Sequence, residues 1–263
     1  MKKIVITGAA GAVGKKVYPL LKKKFDVVMS DIVRPEISNP DDQDFEFVHA
    51  DIRNLDELRE AFRGAHGVVH LAAVGAEDEW SKILDISIDG TFKAYEAARL
   101  EGVKNFVYTS SVHAIGFYPR SQKIGINEYV RPDSRYGISK CFGESVGSLY
   151  ADKYGMRVMC VRIGNVTHDS PINERELSIW VSERDLAQLF AIGLEREDYH
   201  YEIVYGESGN TRSWWDNSSA EKLGYKPQDN AEDYAAELLA NGPIEDPASL
   251  SAKYQGGMFV EFE

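Results

Sequence analysis

Tyr136 and Lys140, in the run Arg135-Tyr136-Gly137-Ile138-Ser139-Lys140, stand four residues apart in a stretch with helical spacing. That spacing puts both side chains on one face, roughly 5 to 6 Å apart at their β-carbons. A phenol titrates at about pH 10 and is a poor base at neutrality; an ammonium beside it favours phenolate and lowers its pKa, so it can accept the proton of an alcohol. A second stretch bears a different chemistry. Thr7-Gly8-Ala9-Ala10-Gly11-Ala12-Val13-Gly14 follows a short apolar strand and precedes Val17, Leu20 and Leu21 at helical spacing. Glycines there let the backbone turn tightly and approach a pyrophosphate, whose charge sits at the helix N-terminus. Asp31 ends the next strand, about twenty residues beyond the central glycine, the place of a carboxylate for adenosine ribose hydroxyls. It would repel a 2'-phosphate, which points to NAD rather than NADP; the other reading of Asp31 is a helix cap or loop carboxylate. Asp51-Ile52 is placed to meet an adenine ring by hydrogen bond and apolar contact.

Groups so far apart in sequence need a common scaffold. Strands are expected at Lys3–Thr7, 25–30, 45–50, 67–71, 106–109, Arg157–Ile163 and 201–205, with helices between them. The longest helix, 80–99, has Ile83, Ile86, Ile88, Phe92, Tyr95 and Ala98 as candidates for its inward face. Repeated strand–helix alternation predicts an α/β fold, a Rossmann doubly wound parallel sheet. Ala72-Ala73-Val74-Gly75 after the fourth strand are small enough for backbone to approach a cofactor. Ser110-Ser111 follow the fifth strand, at the edge where open α/β sheets place ligands. His70 reads as a satisfied core histidine. Past Gly164 the texture turns to polar loops and short elements. The expected division is therefore a NAD-binding core, 1–165, and a small C-terminal substrate lobe, 166–263, that is packed on the core and not independent. The tail Gln255-Gly256-Gly257-Met258-Phe259 could bend so that an aromatic reaches a pocket, or could be a frayed terminus.

The chain has 263 residues and a formal net charge of -12, which disfavours nucleic acid and anionic membranes as partners. Its 43% hydrophobic and 27% charged content argues against disorder. The two cysteines, Cys141 and Cys160, give no disulfide framework, and no apolar run reaches the roughly 18 to 20 residues needed to span a bilayer. A cytoplasmic protein is expected. The six histidines show no metal-ligand spacing, so no metal is expected.

The glycine loop, Asp51-Ile52, His70-Leu71-Ala72-Ala73, Ser110-Ser111 and Tyr136-Gly137-Ile138-Ser139-Lys140, in that order, resemble the extended short-chain dehydrogenase/reductase superfamily. More narrowly, His113-Ala114-Ile115-Gly116, Lys140-Cys141-Phe142-Gly143-Glu144, Val161-Arg162-Ile163-Gly164, Trp214-Trp215-Asp216-Asn217 and Gln255-Gly256-Gly257-Met258-Phe259-Val260 resemble the uronate dehydrogenases. The resemblance implies NAD as cofactor, held by Gly8, Gly11, Ala12, Val13, Gly14, Asp31, Ile32, Asp51, Ile52, Leu71, Ala72, Ala73, Tyr136, Lys140 and Ile163. It implies a small anionic sugar as substrate, oxidised at C1, with Tyr136 as general base, Lys140 on the nicotinamide ribose and Ser111 on the reacting hydroxyl. Arg175 would bind the substrate carboxylate, His113 would contact sugar hydroxyls and Phe259 would close the pocket. Arg175 could instead be a surface arginine paired with Glu174 or Glu176. Where the family has serine, asparagine and serine in the sugar pocket, this chain has Gly75, Val112 and Asn165; Ser87 stands for the relay asparagine, so that a relay would run through water. Oxidation of glucose 6-phosphate or another aldose is the chief alternative, and a sugar epimerase or dehydratase a weaker one. A homo-oligomer is expected.

Overall fold

The computed structural model describes residues 1–262. Seven strands form one parallel sheet: β1 (Lys3–Thr7), β2 (Asp26–Asp31), β3 (Glu46–His49), β4 (Gly67–His70), β5 (Asn105–Ser111), β6 (Arg157–Ile163) and β7 (Tyr201–Gly206), in spatial order β3-β2-β1-β4-β5-β6-β7. The first strand lies inside the sheet, and the chain runs outward from it first to one side and then to the other. That reversal opens a crevice at the carboxyl ends of β1 and β4.

Alternation along the strands fixes the two helical layers. Ile4 and Ile6 face α1 (Ala12–Leu21), whereas Val5 faces the side of α2 (Leu55–Phe62). On that second side lie also α3 (Trp80–Lys82), a π-helical segment (Ile83–Asp89), α4 (Gly90–Leu100) and α5 (Arg135–Tyr154). The continuous helix expected over 80–99 is therefore three segments, with a wider turn in the middle. Ile83, Tyr95 and Ala98 are buried as expected; Phe92 is not, being 41% exposed. Helix α5 lies close to the sheet because Gly143 lacks a side chain: a β-carbon there would fall 2.2 Å from the Tyr108 hydroxyl.

After β6 come α6 (Glu176–Ile179) and α7 (Glu183–Glu195), and α7 shares with α1 the layer over Val107, Met159 and Val161. Of the remaining short helices, α8 (Ser218–Lys222) packs Ala220 into that same layer, α9 (Ala235–Asn241) packs Ala235 with Leu177 and Trp180, and α10 (Leu250–Lys253) precedes the tail; a separate small apolar cluster includes Val112, Tyr118, Ile179, Tyr205 and Trp215. A buried ion pair ties α5 to β6. Arg162 donates from Nε and Nη2 to the two oxygens of Glu144 (2.8 and 2.9 Å), and the Ser110 hydroxyl donates to the same carboxylate (2.6 Å).

Candidate active site

The crevice is a cavity of about 710 Å³. Gly8, Gly11, Ala12, Val13, Asp31, Ile32, Asp51, Ile52, Leu71, Ala72, Ala73, Gly75, Ser111, His113, Tyr136, Lys140, Ile163, Asn165, Arg175 and Phe259 all line it, as the sequence led us to expect. Gly14 and Val112 do not. Gly14 serves packing instead, since a β-carbon there would sit 2.6 Å from the Ala9 carbonyl oxygen. Val112 is 1% exposed, in the apolar cluster under the lobe. The strand ends at Ser111, which lines the cavity, and Val112 opens a single 3-10 turn (Val112–Ala114) that carries its side chain into the apolar cluster.

At one end the cavity fits a dinucleotide. Gly8 adopts φ 67°, and a β-carbon on it would lie 2.6 Å from Ala72 N, so the glycine loop and the small residues after β4 approach each other closely. No side chain caps the N-terminus of α1, which leaves first-turn amides for an anion. The Asp31 carboxylate accepts from Ala10 N (2.9 Å) and Ile32 N (2.7 Å), holding the loop while keeping further lone pairs for ribose hydroxyls. Arg53, which sequence reasoning missed although it directly follows Asp51-Ile52, also lines the cavity. It donates to both oxygens of Asp51 (3.0 Å from Nε, 2.6 Å from Nη2) and so depresses that carboxyl's pKa; it also reaches Asp85 (3.3 Å).

In the middle, Ser111, Tyr136 and Lys140 converge. The Lys140 ammonium donates to the Thr109 carbonyl (2.9 Å) and lies 5.3 Å from the centre of the Tyr136 ring. Burial dominates both titrations. It pushes the Tyr136 phenol up to about 12, with Asp133 adding to the rise and the Ser111 hydroxyl opposing it, and it brings Lys140 down to about 8. The phenol depressed by lysine that the spacing suggested is thus outweighed by desolvation in the pocket. As the pH rises the ionised fraction of the phenol grows, and that phenolate, beside the Ser111 hydroxyl and Lys140, can take a proton from a bound alcohol.

Lys140 has a consequence for stability. Its folded pKa lies below the ordinary 10.5, so the unfolded chain binds more protons between about pH 8 and 10.5. The burial penalty is full below about 8 and fades as pH rises through that window. Lys140→Met should therefore raise the melting temperature of the ligand-free protein at pH 7, by a gain on the order of 2 kcal/mol, and raise it less at pH 10. Thermal unfolding at the two pH values checks this; a destabilised variant at pH 7 would contradict it.

The third end is polar and roofed. Arg175 is half-buried; its Nε donates to the Gln255 carbonyl (2.8 Å), and its Nη2 is buried without a partner among the described residues. Burial and the charge of Arg120 bring its pKa down to about 10, still cationic at neutrality, while Asp133, Glu176 and Glu245 oppose the shift. Among the described residues it forms no ion pair with Glu174 or Glu176. The tail is anchored rather than frayed. The wholly buried Gln255 accepts from Trp215 Nε1 (2.9 Å) and donates to Pro119 O and Gln122 O, and Phe259 stacks on His113 with ring centres 3.6 Å apart.

Asn165 lines the cavity but its amide is engaged: Nδ2 donates to Glu176 (2.8 Å) and Oδ1 accepts from Thr167 N (2.8 Å). Ser87, in the π segment, accepts from Val74 N (3.0 Å), so the residue at the relay position holds the loop beside the cavity. His70 bonds Thr7 Oγ1 (2.8 Å), and burial pushes its pKa down to about 3; it is the satisfied core histidine read from the sequence. Two carboxylates had no sequence signal, being on irregular loops. Glu77 accepts from Tyr136 N (2.9 Å) and pairs with Arg135 (3.1 Å), and Asp133 accepts from His113 Nδ1 (2.8 Å).

A doubly wound sheet with a glycine loop, an aspartate at the end of its second strand and a tyrosine–lysine pair at its carboxyl edge defines a dinucleotide-dependent enzyme class. Comparison agrees. The profile of the NAD dependent epimerase/dehydratase family matches residues 4–183, and the chain belongs to that family. It resembles uronate dehydrogenases throughout: it is 36% identical to that of Agrobacterium fabrum over 261 residues, 99% of this chain and 97% of the relative. A crystal structure of a variant uronate dehydrogenase from Agrobacterium tumefaciens complexed with NAD superposes with a TM-score of 0.91 at 34% identity, covering 100% of this chain and 98% of that one. An NAD-dependent glucose-6-phosphate dehydrogenase of Haloferax volcanii is 36% identical over 254 residues, 89% of this chain and 96% of the relative.

Among the described residues no helix is long and apolar enough to cross a membrane, and no group of three or more His, Cys, Asp or Glu could hold a metal ion.

Proposed function

We propose that this chain is an NAD-dependent dehydrogenase that oxidises C1 of a cyclic hexuronic acid, glucuronate or galacturonate, to the aldarolactone. The observation that carries the reading is Arg175: it lines the same cavity as Ser111 and Tyr136, and its buried Nη2 has no partner among the described residues. A flat fork suits a carboxylate. A phosphate dianion would call for more donors, and Arg120, the arginine whose charge acts on Arg175, is already paired with both oxygens of Glu245 (2.7 and 3.0 Å). That favours the uronate over a sugar phosphate.

Bound NAD supplies the hydride acceptor. Tyr136 takes the proton of the anomeric hydroxyl, Ser111 hydrogen-bonds that hydroxyl, and the Lys140 cation favours the phenolate and holds the nicotinamide ribose. Asp31 binds the adenosine ribose and selects NAD. Phe259 roofs the sugar.

The test is NADH absorbance in the near ultraviolet with NAD and glucuronate, galacturonate, glucose or glucose 6-phosphate. Strong NADH formation with a uronate is expected. A response to glucose 6-phosphate alone would overturn the reading, and no net NADH with any of them would favour an epimerase.

Gly75 offers a gain-of-contact test. A β-carbon there meets nothing within 4 Å, so Gly75→Ser should fold as the parent does and present a hydroxyl to the sugar. A new hydrogen bond worth about 1 kcal/mol would lower KM for the uronate about five-fold. A raised KM would mean that the substrate itself uses the space.

A further inference from the structure

We infer that Asp133 holds His113 as the tautomer protonated on Nδ1, so that Nε2 faces the sugar end of the cavity as a bare acceptor for a substrate hydroxyl. The inference rests on the reading just given for the sugar, but its geometry stands alone. The Asp133 side chain is fully buried. One oxygen receives His113 Nδ1 (2.8 Å) and the other the Ser134 hydroxyl (2.9 Å), while the backbone amide of Asp133 donates to the His113 carbonyl (3.3 Å). The chain closes tightly around the carboxylate: a β-carbon on Gly116 or Gly256 would fall 1.7 or 2.0 Å from Asp133 Oδ2. Glycine at both positions is what lets these two separate segments close on the carboxylate.

The imidazole is fixed as firmly. Phe259 stacks on its face and Tyr136 meets it edge-on, ring centres 5.7 Å apart. Asp133 and Glu77 favour the imidazolium, Arg175 opposes it, and burial prevails, so the ring is neutral at neutral pH. A neutral ring carries one proton, and an ionised carboxylate can only accept. The proton is therefore on Nδ1, and Nε2 has no protein partner among the described residues.

The consequence is sorting by chemistry. A bare nitrogen accepts from a hydroxyl and repels a carboxylate or ether oxygen, while Arg175, close enough for its charge to act on the ring, takes the acid. Asp133, which touches no substrate, is thus a positioning residue for sugar orientation.

The experiment pairs nitrogen-15 NMR of the ligand-free protein, with the His113 signal identified by its loss in His113→Gln, with KM measurements on Asp133→Ala and Asp133→Asn. In the parent at pH 7.5, Nε2 should show the unprotonated shift. Asp133→Ala should move the proton to Nε2 and raise KM for the uronate at least ten-fold, with NAD affinity unchanged. Asp133→Asn keeps an oxygen able to take the Nδ1 proton and covers the case in which the alanine variant fails to fold. In each folded variant KM must follow the ring: parental where Nε2 is bare, raised where it is protonated. A protonated Nε2 in the parent, or a variant that breaks this correspondence in either direction, overturns the inference. The NMR arm needs no substrate, so a failure of the uronate reading shows separately, as absent turnover by the parent.

Discussion

Tyr136→Phe should lower kcat for uronate oxidation by roughly 10² to 10⁴, the usual span for loss of a general base, with KM for NAD and the melting temperature close to the parent's. The change deletes one oxygen in a cavity and leaves the ring against His113 and Phe259, from which it stands 5.7 and 6.0 Å between ring centres. Little packing is lost. Because burial sets the phenol at about 12, the parent's rate should climb with pH through the neutral range as the ionised fraction grows. The residual rate of the variant should lose that dependence. Initial rates of NADH formation from pH 6 to 9 decide; turnover within a few-fold of the parent would remove Tyr136 from the proton transfer.

Arg175→Ala is expected to raise KM for glucuronate on the order of 100-fold, a cost of about 3 kcal/mol for a charge-assisted pair in a partly dry site. The control is a neutral aldose, because Arg175 also holds the tail through the Gln255 carbonyl. Loosening of the roof would impair both sugars alike; loss of an anion site would impair the acid alone. Equal changes in KM for the two would assign Arg175 to anchoring the tail.

The sheet was legible because its signals are local: apolar strands, glycine at the first turn, and helical spacing between strands. Cavity residues at strand ends followed from the same order. What escaped depends on depth and on irregular chain. The wide turn at Ile83–Asp89 hides inside a sequence that reads as unbroken helix, and Phe92, in the helix after it, is exposed. Val112 was read beside Ser111, but the chain leaves the strand there for a 3-10 turn that carries it to the apolar cluster. The Tyr136–Lys140 pair was correctly joined in space, but its titration was misjudged, because spacing reveals the nearest charge and not the desolvation around it. Asp133 and Glu77 come from loops with no periodicity, so only the folded chain brings them to His113 and Tyr136.

The shared placement of α1 and α7 over one face of the sheet bears on how sugar choice could be re-engineered. Arg175 precedes α7 and Phe259 follows it, while Leu186, Leu189 and Phe190 of α7 share a core with Val17 and Leu21 of α1. A chimera joined near residue 165 would import a foreign helix into the cofactor half and mismatch that core. A transplant of specificity should instead swap two separate pieces, the stretch around Arg175 and the region after β7, and leave the intervening helix native.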